Sequence, residues 1–127
     1  MLLAESGIGT TNASIATTGV IARFVPDLVV VAGTAGGLGR GIGAGEVVVA
    51  ESALYHEADA TGFGYVPGQI PRMPTSYRAS RAHRELAESA LEQIGLAAQT
   101  GVVGSSNSFV TAEHAEDVRR LFPGMLA

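Results

Sequence analysis

The sequence predicts an α/β fold, in which β-strands alternate with α-helices around one sheet. Two patterns point there. Apolar residues recur at helical spacing in Ala13, Ala16, Val20 and Phe24, and again in Leu86, Ala90 and Ile94. Between and beyond them lie short apolar runs such as Leu28 to Ala32, typical of strands covered on both faces. The composition agrees: 127 residues, 46% hydrophobic and 16% charged with net charge −4, suit one folded domain with a real core and argue against disorder.

Taken in order, Leu2-Leu3-Ala4 reads as the end of a strand running into the turn Ser6-Gly7-Ile8-Gly9. A helix follows over Thr11 to Phe24, with Thr10 or Thr11 as its cap, and Pro26-Asp27 stops it. Leu28 to Ala32 is the next strand. A glycine-rich passage, Gly33 to Gly45, leads into a second strand from Glu46 to about Leu54. Tyr55 to Tyr77 has glycine, proline and aromatic residues without a period. It is expected to be a long, ordered loop, since Phe63, Tyr65, Ile70 and Tyr77 favour packing.

Ser80 to Ile94 forms a second helix closed by Gly95, with ion pairs Arg81–Glu85 and Arg84–Glu88 on its solvated face. A strand from Ala98 to about Val103 and a polar loop, Gly104 to Ser108, come next. Thr111 caps a last helix that carries Glu113 in its first turn and Arg119 and Arg120 in its last, as the helix dipole favours. After Phe122-Pro123-Gly124, the residues Met125-Leu126-Ala127 read as another strand beginning, so both ends are expected to lie within strands.

Composition also narrows the chemistry. The absence of cysteine excludes disulfides and thiolate nucleophiles, and all eight basic residues are arginine, which excludes Schiff-base lysines. The acidic balance provides no footprint for nucleic acid or an anionic membrane. No apolar run nears the ~20 residues that cross a bilayer, and the N-terminus is unlike a signal peptide, so a soluble, cytoplasmic protein is expected. Gly39-Arg40-Gly41-Ile42-Gly43-Ala44 fits G-x-G-x-x-A, but that motif binds dinucleotides only where it opens a helix, and here a strand follows. Thr34-Ala35-Gly36-Gly37 follows the end of a buried strand, where open α/β sheets bind ligands; it suits either a ligand-facing turn or a tight structural one. His56, Glu57 and Asp59 lack metal-ligand spacing, and extension would send His56 and Glu57 to opposite faces, so no metal and no cofactor is expected.

Four segments, in this order and at these separations, resemble the methylthioadenosine/S-adenosylhomocysteine nucleosidases of the nucleoside phosphorylase-like fold. They are Ser6-Gly7-Ile8-Gly9, Gly33-Thr34-Ala35-Gly36-Gly37-Leu38, the run from Tyr55 through Ala60 to Gly62-Phe63-Gly64-Tyr65, and Pro67-Gly68-Gln69-Ile70-Pro71. Ser108-Phe109-Val110 and Phe122-Pro123 also fit. The resemblance covers the whole chain and implies a three-layer fold with a central mixed sheet, incomplete at both ends, in a single domain over residues 1–127. It further implies hydrolysis of the N-glycosidic bond of 5′-methylthioadenosine and S-adenosylhomocysteine, with adenine as leaving group, in methionine salvage. The alternatives are a non-catalytic fragment or dimerisation module, and a related hydrolase or phosphorylase such as one acting on futalosine.

Residue by residue, the resemblance implies that Thr34, Ala35 and Gly36 line the ribose and base site. Phe109 and Val110 would hold the adenine, and Ile8 would belong to the alkylthio pocket. Phe63, Tyr65 and Pro71 would reach the neighbouring subunit's pocket in a homodimer. The catalytic carboxylates of the family match no residue here, and are expected in segments before and after these residues; the chain by itself is therefore expected to be inactive, and the open edges of an incomplete sheet are expected to leave it marginally stable. Several positions depart from the family pattern: Thr10 replaces a lysine, Thr34 a serine, Ser106-Asn107 a Gly-Asp pair, and Glu57 stands where aspartate is commoner.

Overall fold

A computed structural model describes residues 1–127 as two compact units, Met1–Thr34 and Ala35–Ala127. The first is built on α1 (Thr10–Phe24). Gly9 occupies its N-cap position with no side-chain cap bond, so neither threonine caps it; the Asn12 amide instead donates to the Ile8 carbonyl at 2.7 Å. Ala13, Ala16 and Val20 are half-buried as their spacing predicts, whereas Phe24 is exposed. The helix ends at Val25 in the left-handed conformation, just before Pro26.

Neither Leu2–Ala4 nor Leu28–Ala32 forms a strand. The apolar, β-branched composition of 28–32 favours extension, but a strand exists only through a ladder, and no segment of the chain pairs with it. Its side chains are therefore left in solvent, with Val31 88% exposed.

The second unit is a mixed sheet flanked by helices. Its strands are β1 (Val47–Tyr55), β2 (Tyr77–Arg78) and β3 (Ala98–Ser105), in the order β2-β1-β3. β1 runs parallel to β3 and antiparallel to β2. The β1–β3 register breaks once: Ala50 pairs with Gly101 and Ser52 with Val102, leaving Glu51 as an extra residue in a bulge. Of the strand expected to begin at Met125, the structure shows one parallel bridge and its flanking hydrogen bonds. Met125 bridges Val102 in parallel, Leu126 N–H donates to the Val102 carbonyl at 2.8 Å, and Gly104 N–H donates to the Ala127 carbonyl at 2.7 Å.

The glycine-rich passage turns straight into β1, which removes the dinucleotide motif from any helix start. The long loop is ordered and contains a 3-10 turn over Thr61–Phe63. α2 (Arg81–Gln93) packs against β1 and ends as its sequence predicts, with Gly95 N–H donating to Glu92 and Leu96 N–H to Leu91. Its half-buried residues are Arg84, Glu88 and Leu91, while Leu86 and Ile94 are exposed, so the predicted apolar stripe points away from the sheet. Arg81 pairs with Glu85 at 2.7 Å as expected; the expected Arg84–Glu88 pair is replaced by a bond from the Thr100 hydroxyl to Glu88 at 2.5 Å. In α3 (Ala112–Leu121) Thr111 stands at the N-cap, but its hydroxyl meets the His114 ring at 3.0 Å rather than capping the helix. The core is small: Leu38, Ala115 and Met125, with Leu54, Val102, Val110, Val118 and Phe122 packed on it. No helix is long and apolar enough to cross a membrane.

Candidate functional site

Because β1 and β3 are parallel, their carboxyl ends open on the same edge of the sheet, the place where α/β folds bind ligands. Two loops leave that edge. One begins with His56-Glu57 after β1; the other is Ser106 to Val110 after β3. The ladder's last link is His56 N–H to the Ser105 carbonyl at 3.1 Å.

Beyond that link, side chains join the loops. One carboxylate oxygen of Glu57 accepts the Asn107 backbone N–H at 2.9 Å and the Tyr55 hydroxyl at 3.1 Å. The other accepts the Ser108 hydroxyl in a short bond. The Asn107 amide in turn reaches the Tyr55 hydroxyl at 3.4 Å. The Ser108 hydroxyl and the Asn107 N–H, helped by Tyr55 and the nearby His56, hold the Glu57 carboxyl below the usual carboxylate range. The same bond to Glu57 raises Tyr55 above the ordinary phenol value. His56 itself turns elsewhere, its ring edge-on to Phe122 with centroids 6.2 Å apart, as the alternation of an extended chain predicts.

Of the two residues that this loop leads to, Phe109 is 85% exposed, while Val110 packs on the core beside Leu38. Leu38 is buried at the end of the irregular segment that contains Ala35 and Gly36, both exposed. It is fixed by three bonds: Leu38 and Gly39 N–H donate to the Leu126 carbonyl at 2.8 and 3.0 Å, and Arg119 Nε donates to the Leu38 carbonyl at 2.6 Å. Arg119 is braced by Glu116, which also binds Arg40, and these two guanidinium groups hold the Glu116 carboxyl below its usual range. Leu38 and Val110 thus belong to one packing cluster, while Ala35 and Gly36 stand exposed outside it.

Phe63 lies exposed in the 3-10 turn, and Tyr65 is half-buried. Pro71 occupies the second place of a turn closed by Met73 N–H to the Ile70 carbonyl at 2.9 Å, with Arg72 left-handed at φ 66°. In the first unit, Thr34 is exposed, and Ile8 lines an open groove with Leu3 to Gly7 and Ala32. No cluster of histidine and carboxylate side chains with the makings of a metal site is present.

Sequence reasoning missed the Glu57 network. The available signal was that two of the departures from the family pattern, Glu57 and Ser106-Asn107, fall at the ends of parallel neighbouring strands; the structure puts them in direct contact.

A sequence model of the Phosphorylase superfamily matches residues 1–125. The 5′-methylthioadenosine/S-adenosylhomocysteine nucleosidase of Staphylococcus saprophyticus is 41% identical over all of this chain and 56% of its own length. The crystal structure of the corresponding nucleosidase from Colwellia psychrerythraea in complex with adenine superposes with a TM-score of 0.91 at 36% identity, over 97% of this chain and 52% of that one. A futalosine hydrolase mutant of Helicobacter pylori is similar in fold, with a TM-score of 0.87 at 25% identity, over 95% of this chain and 56% of that one. The chain spans about half the length of the curated relatives it matches. With its mixed sheet and a family match along nearly its whole length, the chain belongs to the Phosphorylase superfamily.

Proposed function

We propose that residues 1–127 are part of one phosphorylase-like domain and supply the nucleoside-binding part of an N-glycosyl hydrolase acting on 5′-methylthioadenosine and S-adenosylhomocysteine. The observation that carries this reading is the 41% identity to such a nucleosidase along the entire chain. Phe109 and Val110 hold the adenine, Thr34, Ala35 and Gly36 line the ribose and base site, and Ile8 contributes to the alkylthio pocket. Phe109 suits its role because an exposed ring at the sheet's carboxyl edge offers a face for a base to stack on.

Cleavage of a glycosidic bond passes through an oxocarbenium-like state, and needs an acid at the leaving base and an activated water. None of the carboxylates in residues 1–127 is assigned to either task by the family resemblance, and Glu57 is committed to its own hydrogen bonds. The division proposed is therefore binding by these residues and bond cleavage by others. Phe63, Tyr65 and Pro71 serve the pocket of a second copy in a homodimer, consistent with the exposure of Phe63 at 86% beside exposed Val66, Ile70 and Met73. The setting is the cytoplasm and the pathway methionine salvage.

Calorimetric titration with adenine tests the binding role, and chromatography of 5′-methylthioadenosine incubations tests turnover. The expected outcome for the 127-residue polypeptide is binding without adenine release. Phe109→Ala should weaken binding roughly 5- to 150-fold, the equivalent of the ~1–3 kcal/mol of a base–aromatic stack. Adenine affinity untouched by Phe109→Ala would remove Phe109 from the site, and release of a different base from futalosine would favour the related hydrolase.

A further inference from the structure

We propose that Glu57 is a positioning residue: its carboxylate clamps the Asn107–Ser108 segment to the end of β1 and so sets the backbone of Phe109 and Val110 against the base. The inference rests on the base-site reading above.

The geometry carries it. The backbone ladder between β1 and β3 stops at Ser105, and Ser106 to Val110 belongs to no strand or helix. A five-residue segment of this kind has many conformations to lose, so its shape must be imposed by specific bonds. Two come from Glu57, 50 and 51 residues away in sequence, through the Asn107 N–H and the Ser108 hydroxyl. Those donors belong to consecutive residues and meet the two oxygens of one carboxylate, which fixes orientation as well as distance. Tyr55 braces the clamp from the strand side, donating to Glu57 and receiving the Asn107 amide. From the other end, Val110 is seated in the core beside Leu38. Phe109 is therefore held between two fixed points while its own ring remains free for a ligand.

The side-chain combination is matched to the task. A glutamate reaches across the gap between strand ends, and Asn107 offers an amide where an aspartate would set a second carboxylate beside Glu57. The titratable groups near Glu57 are Tyr55, which bonds to it, and His56, whose ring turns to Phe122; Asn107 and Ser108 on the opposite loop are neutral. Only the ionised carboxylate can accept at both oxygens without donating, so the clamp depends on charge and not on shape alone.

The test uses adenine titrations and the Asn107 backbone amide resonance of the full chain, in the unmodified protein, Glu57→Gln, Ser108→Ala and the double variant. The glutamine variant keeps the shape and loses the charge, and Ser108→Ala removes one donor should Glu57→Gln fail to fold. Each single change is expected to shift the Asn107 amide and to weaken adenine roughly tenfold, within the range that misplacement by an ångström produces. The double variant should be no worse than Glu57→Gln alone, because both act through one clamp. Glu57→Asp should recover part of the affinity.

Unchanged adenine affinity in both single variants overturns the proposal, as does a moved Asn107 amide with affinity preserved, which would make the clamp structural only. Fully additive losses also overturn it. If adenine fails to bind the unmodified protein, the base-site reading falls first and the positioning role falls with it, a result distinct from binding that ignores Glu57.

Discussion

At Gly68 the chain turns with φ +79° while the Phe122 ring lies against it, so an added Cβ would stand 3.0 Å from that ring and 3.3 Å from the Tyr55 carbonyl oxygen. Both the left-handed backbone and the contact demand glycine. Gly68 N–H also donates to the Ala58 carbonyl at 2.9 Å, so the residue ties the long loop to the start of the site. The Pro-Gly-Gln-Ile-Pro motif that helps mark the family thus encodes packing as well as chemistry: its glycine admits Phe122 and its final proline starts a turn. Gly68→Ala is expected to destabilise the fold by about 1–3 kcal/mol, read as a lower urea midpoint with an unchanged slope. A midpoint equal to that of the unmodified protein would show that Phe122 simply moves aside.

Between elements, charge does part of the joining. Glu57 ties the β1 and β3 loops together, Glu116 braces the arginine that holds Leu38, and Asp59 accepts the Thr61 hydroxyl and N–H at 2.7 and 3.0 Å. All three carboxyls are held below their ordinary values by these donors. A depressed folded-state value means that the folded chain gives up the proton more readily than the unfolded one. The contribution to stability is then complete above the ordinary carboxylate range and is lost as pH falls through the lowered values. Urea midpoints should accordingly fall on acidification below about pH 4, and fall less steeply in Glu57→Gln. A midpoint independent of pH in that range would remove these bonds from the stability of the fold. These joins were largely illegible in the sequence. Periodicity locates β1, β3, α2 and α3 to within a residue or two, but does not reveal that Glu57 and Ser108, 51 residues apart, meet at one edge.

Across the whole molecule, the apolar residues outnumber the places that bury them. Although 46% of the chain is hydrophobic, Leu38, Ala115 and Met125 are its buried hydrophobic residues, and no large side chain is completely enclosed. The stripe of Leu86 and Ile94 on α2 and the run from Leu28 to Val31 are exposed. Here the sequence was read correctly as apolar and incorrectly as covered: patterning shows that a face seeks a partner, while only the fold shows whether one is supplied. The isolated chain is therefore expected to bind a hydrophobic dye such as ANS and to self-associate as concentration rises. A soluble monomer with a sharp thermal transition and no dye binding would contradict this. Fold class and family were legible because they rest on the order and spacing of motifs, which survive even where individual strands are left unpaired.

The extra residue at Glu51 acts on β1 as a frameshift acts on a coding strand. Upstream of it Val47 and Val49 share a side with Ala98 and Thr100; downstream that side passes to Ser52 and Leu54, with Val102 and Gly104. Odd and even positions have exchanged roles by the time the chain reaches Tyr55. Deleting Glu51 would leave every motif of the family intact and set Ala50 and Ser52 opposite Gly101 and Val102 in an unbroken ladder. Tyr55, His56 and Glu57 would then keep their sides, and only the local bend and added twist of the strand would be lost.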